Sequence, residues 1–176
     1  MRQTGADDAS RGPIRTMTSG QPSVVGAKPV VLATTLLARV LRHDPRYGLS
    51  TLFFENGELR VPMVDAPVDS GVTVTIEARD VSVALSRPMD VSITNRLPGR
   101  IVEIQPLDLP YMRVTFDLGS VHLHALVTTE SVERLALEKG LLAWAMIKSV
   151  AIEADAVRSS ELPRPRRWPS ADSPGQ

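Results

Sequence analysis

The stretch Met112-Arg113-Val114-Thr115-Phe116-Asp117-Leu118-Gly119-Ser120-Val121-His122-Leu123-His124-Ala125-Leu126-Val127-Thr128-Thr129-Glu130-Ser131-Val132-Glu133-Arg134-Leu135 decides the fold. Met112–Leu118 and Val121–Val127 are short apolar runs rich in β-branched residues, and the turn signal Gly119-Ser120 joins them, which is the pattern of a hairpin. The period then changes. Thr128 or Thr129 offers an N-cap, acidic residues follow at once, and Val132, Leu135 and Ala136 recur at helical spacing, so one short helix is expected.

Reading outward, Arg100–Gln105 is a further strand that begins after the turn signal Pro98-Gly99, and Leu141–Ile152 is a long apolar strand after Gly140. Short strands and one small helix within residues 91–154 predict an OB-like small β-barrel, which closes a sheet and removes exposed edges. Additional strands precede it in residues 29–90. Val72–Ala78 alternates apolar and polar residues, and Val81–Leu85 stays extended towards Pro88. Leu49–Phe54 and Glu58–Val64 flank Asn56-Gly57, a tight-hairpin signal because both positions tolerate positive φ. Val30–Arg42 suits either a strand or a helix, and the turn His43-Asp44-Pro45-Arg46-Tyr47-Gly48 follows it. The expectation is an all-β fold of about eight strands with one short helix. Residues 1–28 and 157–176 are dominated by Pro, Ser, Gly, Asp and Arg and read as a disordered leader and tail around a folded block 29–156. The basic, proline-rich Leu162-Pro163-Arg164-Pro165-Arg166-Arg167-Trp168-Pro169 reads as part of the solvated tail.

With 176 residues, one domain is expected. Aromatic residues are only 4% of the chain, so the core must be built from Val, Leu, Ile and Ala. Twenty basic and twenty acidic residues cancel, which removes the global electrostatic case for nucleic acid or an anionic membrane and leaves room only for a local cationic site. The absence of cysteine excludes disulfides and thiolate chemistry. No apolar run approaches the roughly 20 residues that cross a bilayer, and Met1–Gly26 has no apolar h-region of a secretory signal. A cytoplasmic chain without membrane insertion is expected.

Enzyme signatures are missing. There is no phosphate-binding G-x-x-x-x-G-K-[ST] loop, G-x-S-x-G elbow, H-E-x-x-H helix or G-x-G-x-x-G fingerprint. His122 and His124 share one face of a strand, but two ligands without a third make no metal site, and they read as structural or surface histidines. His43 reads as an organiser of its turn. Glu103, Asp108 and Asp117 lie on separate segments, and nothing in the sequence pairs them. Neither a catalytic residue nor a cofactor is expected.

The informative residues are polar and non-acidic: Ser92, Thr94 and Asn95, then Thr128, Thr129 and Ser131, then Lys148 and Ser149. Hydroxyls, backbone amides near the start of the short helix and one ammonium suit a tetrahedral oxyanion, which carries several acceptors. Lys148 follows an apolar run, where a buried cation needs a partner, and a dianion about 4 Å away offers roughly 8 kcal/mol of attraction at an effective dielectric near 20. The bland alternative is an exposed strand end with Lys148 in water and the hydroxyls as turn and cap residues.

From Gly71 to Ile152 the chain resembles the TOBE or Mop module, found as the C-terminal regulatory domain of the molybdate ABC-transporter ATPase and in the small molbindins. The matching text is Glu77-Ala78-Arg79-Asp80-Val81-Ser82-Val83-Ala84-Leu85-Ser86-Arg87-Pro88, Ser92-Ile93-Thr94-Asn95-Arg96-Leu97-Pro98-Gly99-Arg100-Ile101, Val127-Thr128-Thr129-Glu130-Ser131, Leu135-Ala136-Leu137-Glu138-Lys139-Gly140 and Ala145-Met146-Ile147-Lys148-Ser149-Val150. His43–Leu49 is similar to the segment that joins the ATPase to this module. The resemblance implies an OB-like barrel that assembles with other copies and binds molybdate or tungstate between them, here through Ser92, Thr94, Thr128, Ser131, Lys148 and Ser149. It implies a homo-oligomer, an oxyanion ligand and a role in molybdenum homeostasis or molybdate import. Two departures remove positive charge, because Thr94 and Leu126 stand where the family often has Arg. The ATPase domain has no counterpart here, so the module works alone, pairs with a separately encoded transporter ATPase, or is a gene remnant. A rival expectation is a structural module that docks on such an ATPase and binds no anion.

Overall fold

Thr34, Leu36, Ala38 and Val40 are buried, whereas Ala33, Thr35, Leu37 and Leu41 face outward. A period of two makes Ala33–Asp44 a strand, β1, and decides the one segment whose sequence suited either element. The computed structural model describes residues 32–55, 57–153 and 157–160. Further strands are β2 (Leu49–Phe54), β3 (Gly57–Pro62), β4 (Gly71–Glu77), β5 (Val81–Ala84), β6 (Asn95–Pro106), β7 (Tyr111–Asp117), β8 (His122–Thr128), β9 (Leu142–Ile147) and β10 (Val157–Ser160). They form two antiparallel sheets, ordered β10-β4-β1-β2-β3 and β5-β9-β6-β7-β8. The outer strands β5 and β8 of the second sheet also approach one another, which curls it towards a barrel. The only α-helix among the described residues is α1 (Thr129–Arg134). None is long and apolar enough to cross a membrane.

Expectation and structure agree along most of the chain. The β7–β8 hairpin turns at Gly119, whose φ is +93° and whose N–H donates to Asp117 Oδ1 at 2.8 Å. Four readings need correction. Pro98 and Gly99 do not punctuate but lie inside the twelve-residue β6. Over Asn95–Arg100 this strand pairs with β9, and its pairing with β7 starts only at Arg100, so Pro98 sits where one side lacks a strand partner. The expected strand Leu141–Ile152 ends at Ile147, and a 3-10 turn, Ser149–Ala151, buries Ile152; the apolar run reported burial, not extension. β5 belongs to the barrel sheet although it precedes residue 91. Val157–Ser160, read as the start of the tail, returns to the first sheet as β10 and pairs with Gly71–Val74. Backbone pairing holds β10, and no side-chain period announces that. Ten strands are therefore described. The leader 1–28, the segment Leu162–Pro169 and Asn56 lie outside the described residues.

The core is one cluster drawn from both sheets, rich in Val, Leu, Ile and Ala, with Phe54 and Phe116 as its large aromatic members. Two buried polar side chains join the sheets by standing in for missing strand neighbours. Asn95 Oδ1 accepts from the Arg60 N–H at 2.6 Å and its Nδ2 donates to the Arg60 carbonyl at 2.9 Å, on the edge strand β3. Thr34 Oγ1 accepts from the His124 N–H at 3.2 Å and donates to the His122 carbonyl at 3.3 Å, on the outer strand β8. Edge groups that would otherwise lack partners are thus satisfied. His43 organises its neighbourhood as expected. Its Nε2 donates to the Ala66 carbonyl at 2.9 Å, which leaves Nδ1 to accept from the Ser50 hydroxyl at 2.8 Å; that oxygen in turn accepts from the Val64 N–H at 3.1 Å.

Candidate functional site

Strand pairing sets Asn95 opposite Ile147, so the residues just outside this pair, Thr94 and Lys148, are brought to one end of the sheet. Thr94 Oγ1 and Ser149 Oγ lie 2.6 Å apart, sharing one hydrogen bond. Lys148 is extended (φ −67°, ψ 136°) and exposed, with no ion pair among the described residues. In a single protomer the lysine is therefore at a solvated strand end and is not drawn inward. Ser92 is exposed in the β5–β6 connection.

The second hydroxyl group sits where β8 runs into α1. Thr128 is the N-cap: its Oγ1 accepts from the Ser131 N–H at 3.2 Å and lies 2.9 Å from Ser131 Oγ. The cap uses the Ser131 amide, so that donor is not free for an anion. Thr129 donates its N–H to the Pro110 carbonyl at 2.9 Å, and Asn95 is committed to Arg60, so both are structural. Within each hydroxyl pair one O–H donates to the other oxygen. The second proton of each pair stays available for an outside acceptor.

Thr128 and Ser131 line one of two adjoining clefts and Lys148 the other, whereas Thr94 and Ser149 line neither. One, of about 330 Å³, is lined by Arg79, Ser82, Leu126, Thr128, Ser131 and Arg134 among others. The other, of about 220 Å³, is lined by Arg79, Asp80, Ser82, Ile93, Met146, Lys148 and Ala151. Thr128 and Ser131 thus come together with each other, and Thr94, Lys148 and Ser149 with each other. Arg79 and Ser82 border both clefts. Sequence reasoning did not single out these two or Arg134. The 3-10 turn Ala78–Asp80 carries Arg79 from the first sheet to the second, and nothing in the local pattern of Arg79-Asp80-Val81-Ser82 announces that placement. Arg79 pairs with Glu77 at 2.7 Å, but both side chains are well exposed, and such a pair contributes little.

The remaining candidates are dispersed. Asp117 accepts from the Gly119 N–H, Glu103 pairs with Arg113 at 2.9 Å, and Asp108 is exposed in the β6–β7 connection. Among the described residues no three His, Asp or Glu side chains gather as a metal site. His122 is exposed, whereas His124 is partly buried with Nδ1 3.2 Å from Thr115 Oγ1. Burial holds the His124 pKa below its ordinary 6.5; the positive charge of Arg113 and the neighbouring His122 lower it further, and Glu103 opposes them. The unfolded chain therefore binds this proton more readily than the folded one. Stability is full above about pH 6.5 and declines as pH falls through the lower folded-state value. Melting curves between pH 7.5 and 5 should show a smaller decline in His124→Gln than in the wild type; an identical decline would place the titration elsewhere.

Residues 91–154 match the family model described as TOBE domain. That segment is similar to a TOBE domain. Both hydroxyl groups and Lys148 lie on it, whereas Arg79 and Ser82 come from just before it. Among curated proteins, Molybdenum import ATP-binding protein ModC of Pseudomonas aeruginosa is 40% identical over 115 residues, 64% of this chain and 32% of that protein. ModC 2 of Azotobacter vinelandii is 36% identical over 146 residues (78% and 41%), and ModC of Paramagnetospirillum magneticum 32% over 159 residues (88% and 43%). The chain thus spans less than half the length of these relatives. Among solved structures, a molybdate-bound form of the cytoplasmic molybdate-binding protein ModG superposes with a TM-score of 0.60 at 18% identity, covering 70% of this chain and 94% of that one. Over that share of its length the chain therefore has the ModG fold.

Proposed function

We propose that this chain binds molybdate or tungstate in the cytoplasm and serves molybdenum homeostasis or the regulation of molybdate import. The observation that carries this reading is the gathering of Arg79, Arg134 and Lys148 with Ser82 and the Thr128–Ser131 hydroxyl pair around two adjoining clefts on and beside the segment that matches a TOBE domain. A chain of zero net charge has here a local cationic surface. Ser92, Thr94, Thr128, Ser131, Lys148 and Ser149 are the proposed contacts of the anion. In one protomer Thr128 and Ser131 form one group and Thr94, Lys148 and Ser149 another, with Ser92 apart from both; a second copy that sets one group against the other would complete a shared site, and a homo-oligomer is part of the proposal. So is a separately encoded molybdate-transporter ATPase as partner. The role is binding, not catalysis, and needs no cofactor besides the anion.

The test is a thermal melt with and without molybdate, with sulfate and phosphate as controls. At about 100 times its dissociation constant the ligand adds roughly 2.7 kcal/mol, a shift of several degrees in a chain of this size. A shift with molybdate or tungstate alone supports the reading. No shift from a protein that melts cooperatively defeats it and favours the docking module, to which the solvated Lys148 and the internally bonded hydroxyls give their weight.

A further inference from the structure

The two sheets repeat one arrangement but differ on their outward faces. Their strands are ordered alike, β10-β4-β1-β2-β3 and β5-β9-β6-β7-β8, with Thr34 opposite Ile76 in the first and Asn95 opposite Ile147 in the second. Thr34 and Asn95, each bonded to an outer strand of the other sheet, therefore hold equivalent places. On the outward face of the first sheet, Thr35 stands opposite Thr75 and Leu37 opposite Thr73. The same places on the second sheet hold Arg96 opposite Met146 and Pro98 opposite Trp144, and Arg100 opposite Leu142 follows. The fold accepts threonines at these places, so it does not itself demand Trp144 and Met146. The Arg87 guanidinium stands 5.8 Å over the Trp144 ring, and Leu142 is a large apolar side chain left in water. Arg87, Arg96 and Arg100 thus rim an apolar strip, and none of them has an ion pair among the described residues. Asp117, opposite Arg100 on β7, accepts instead from the Gly119 N–H.

The loop between β3 and β4 carries the opposite charge. Asp65 and Asp69 are exposed there without an ion pair among the described residues, and Met63 and Val68 beside them are exposed apolar side chains. The loop is held firmly: its Val64 N–H donates to Ser50 Oγ at 3.1 Å, its Ala66 carbonyl accepts from His43 at 2.9 Å, and its Asp69 N–H donates to the Val40 carbonyl at 2.8 Å. We propose that copies of this chain associate head to tail, the loop of one seating on the strip of the next, with Asp65 and Asp69 set against Arg87, Arg96 and Arg100. Strip against strip would oppose guanidiniums, and loop against loop would oppose carboxylates. A two-fold contact through either surface is therefore disfavoured, and only the unlike pairing satisfies both. A loop already fixed in shape loses little freedom on docking. Contacts of this kind close into a ring or run on as a filament. The inference takes from the proposed function only that copies associate, and the interface needs no anion.

Sedimentation of the full chain without molybdate, from micromolar to millimolar concentration, tests this. The variants are Arg87→Glu/Arg100→Glu in the strip and Asp65→Asn/Asp69→Asn in the loop; Asn suits the left-handed backbone of Asp69, whose φ is +68°. The wild type should grow in mass with concentration, and each variant alone should associate at least about tenfold more weakly. All four side chains are exposed, so melting temperatures at low concentration should match the wild type. Mixed in equal amounts, the two variants should form one-to-one pairs that grow no further, because each keeps the surface that the other lacks. Trp144→Thr, which puts there the residue type of the equivalent Thr73, should also weaken association. A wild type that stays monomeric throughout would overturn the inference. So would association that both variants leave unchanged, or variants that each lose association and do not pair when mixed. None of these outcomes touches the oxyanion reading, which the molybdate melt decides, and a failed melt leaves this interface standing.

Discussion

Asn95→Leu is expected to destabilise the protein by about 4 kcal/mol, although the two side chains have similar size. The Asn95 side chain is 2% exposed and makes two hydrogen bonds to one residue, accepting from the Arg60 N–H and donating to the Arg60 carbonyl. Arg60 lies on β3, an edge strand, so these groups have no strand neighbour to take over. A buried donor or acceptor left without a partner costs about 1–3 kcal/mol, and Leu leaves one of each. That is a large share of the roughly 5–15 kcal/mol by which a domain is stable, and it should lower the melting temperature by about 10 °C or more. Asn95→Asp separates the two bonds. Its carboxylate still accepts from the N–H but repels the carbonyl, whereas the protonated acid can serve both. Relative to wild type at the same pH, Asn95→Asp should therefore recover stability on acidification and Asn95→Leu should not. A loss below about 1 kcal/mol for Asn95→Leu would mean that water replaces the amide and that the sheets are not joined through it. The site should respond as well, since Thr94 is the preceding residue and the 3-10 turn that begins with Ser149 packs against β3. If the proposed oxyanion site holds, molybdate should stabilise Asn95→Leu less than wild type.

The same residue marks where sequence reasoning stops. Asn95 stood with Ser92 and Thr94 as a polar interruption, and nothing local separates a ligand contact from a side chain that completes another sheet thirty-five residues away. Strand identity was legible wherever a period of two or a turn residue marked it, as in β4, β7 and β8, because one buried face imposes the alternation. The segment Leu36–Leu41 became a strand through its neighbours β2 and β4, which only the fold supplies. β10 has a single partly buried apolar residue, Val157, and takes its order from backbone pairing. Of the site, the hydroxyl residues and Lys148 were legible through the family motifs, and the two local groupings follow from strand register and a cap. Arg79 was not, because its place between the clefts depends on how the chain crosses from one sheet to the other. Charge that is absent from a motif position can return from a neighbouring element, so the losses at Thr94 and Leu126 do not by themselves decide the affinity.

Gly99→Val should cost about 3 kcal/mol, at the upper end of what overpacking a core costs. Gly99 is buried inside β6 opposite Ala143. A Cβ there would lie 2.9 Å from Leu118 Cδ2, 3.1 Å from the Asp117 carbonyl oxygen and 3.3 Å from Phe116 Cδ1. Leu118 is flexible and can give way. The Asp117 carbonyl belongs to the backbone of β7 and Phe116 is 0% exposed, so neither can. The close approach arises where β6 passes from β9 to β7 as its partner, the place at which the second sheet curls towards closure. Gly99→Ala should cost less, about 1–2 kcal/mol, because only its Cβ must be accommodated. The combination with Leu118→Ala discriminates between the obstacles. If the leucine were the principal one, the double variant Gly99→Ala/Leu118→Ala would be more stable than the sum of its single changes predicts. The fixed backbone oxygen predicts near-additive losses instead. Denaturant melts of the four proteins give both numbers. A Gly99→Val protein as stable as wild type would show that β6 and β7 separate here without cost, and that the curvature of the sheet does not depend on this residue.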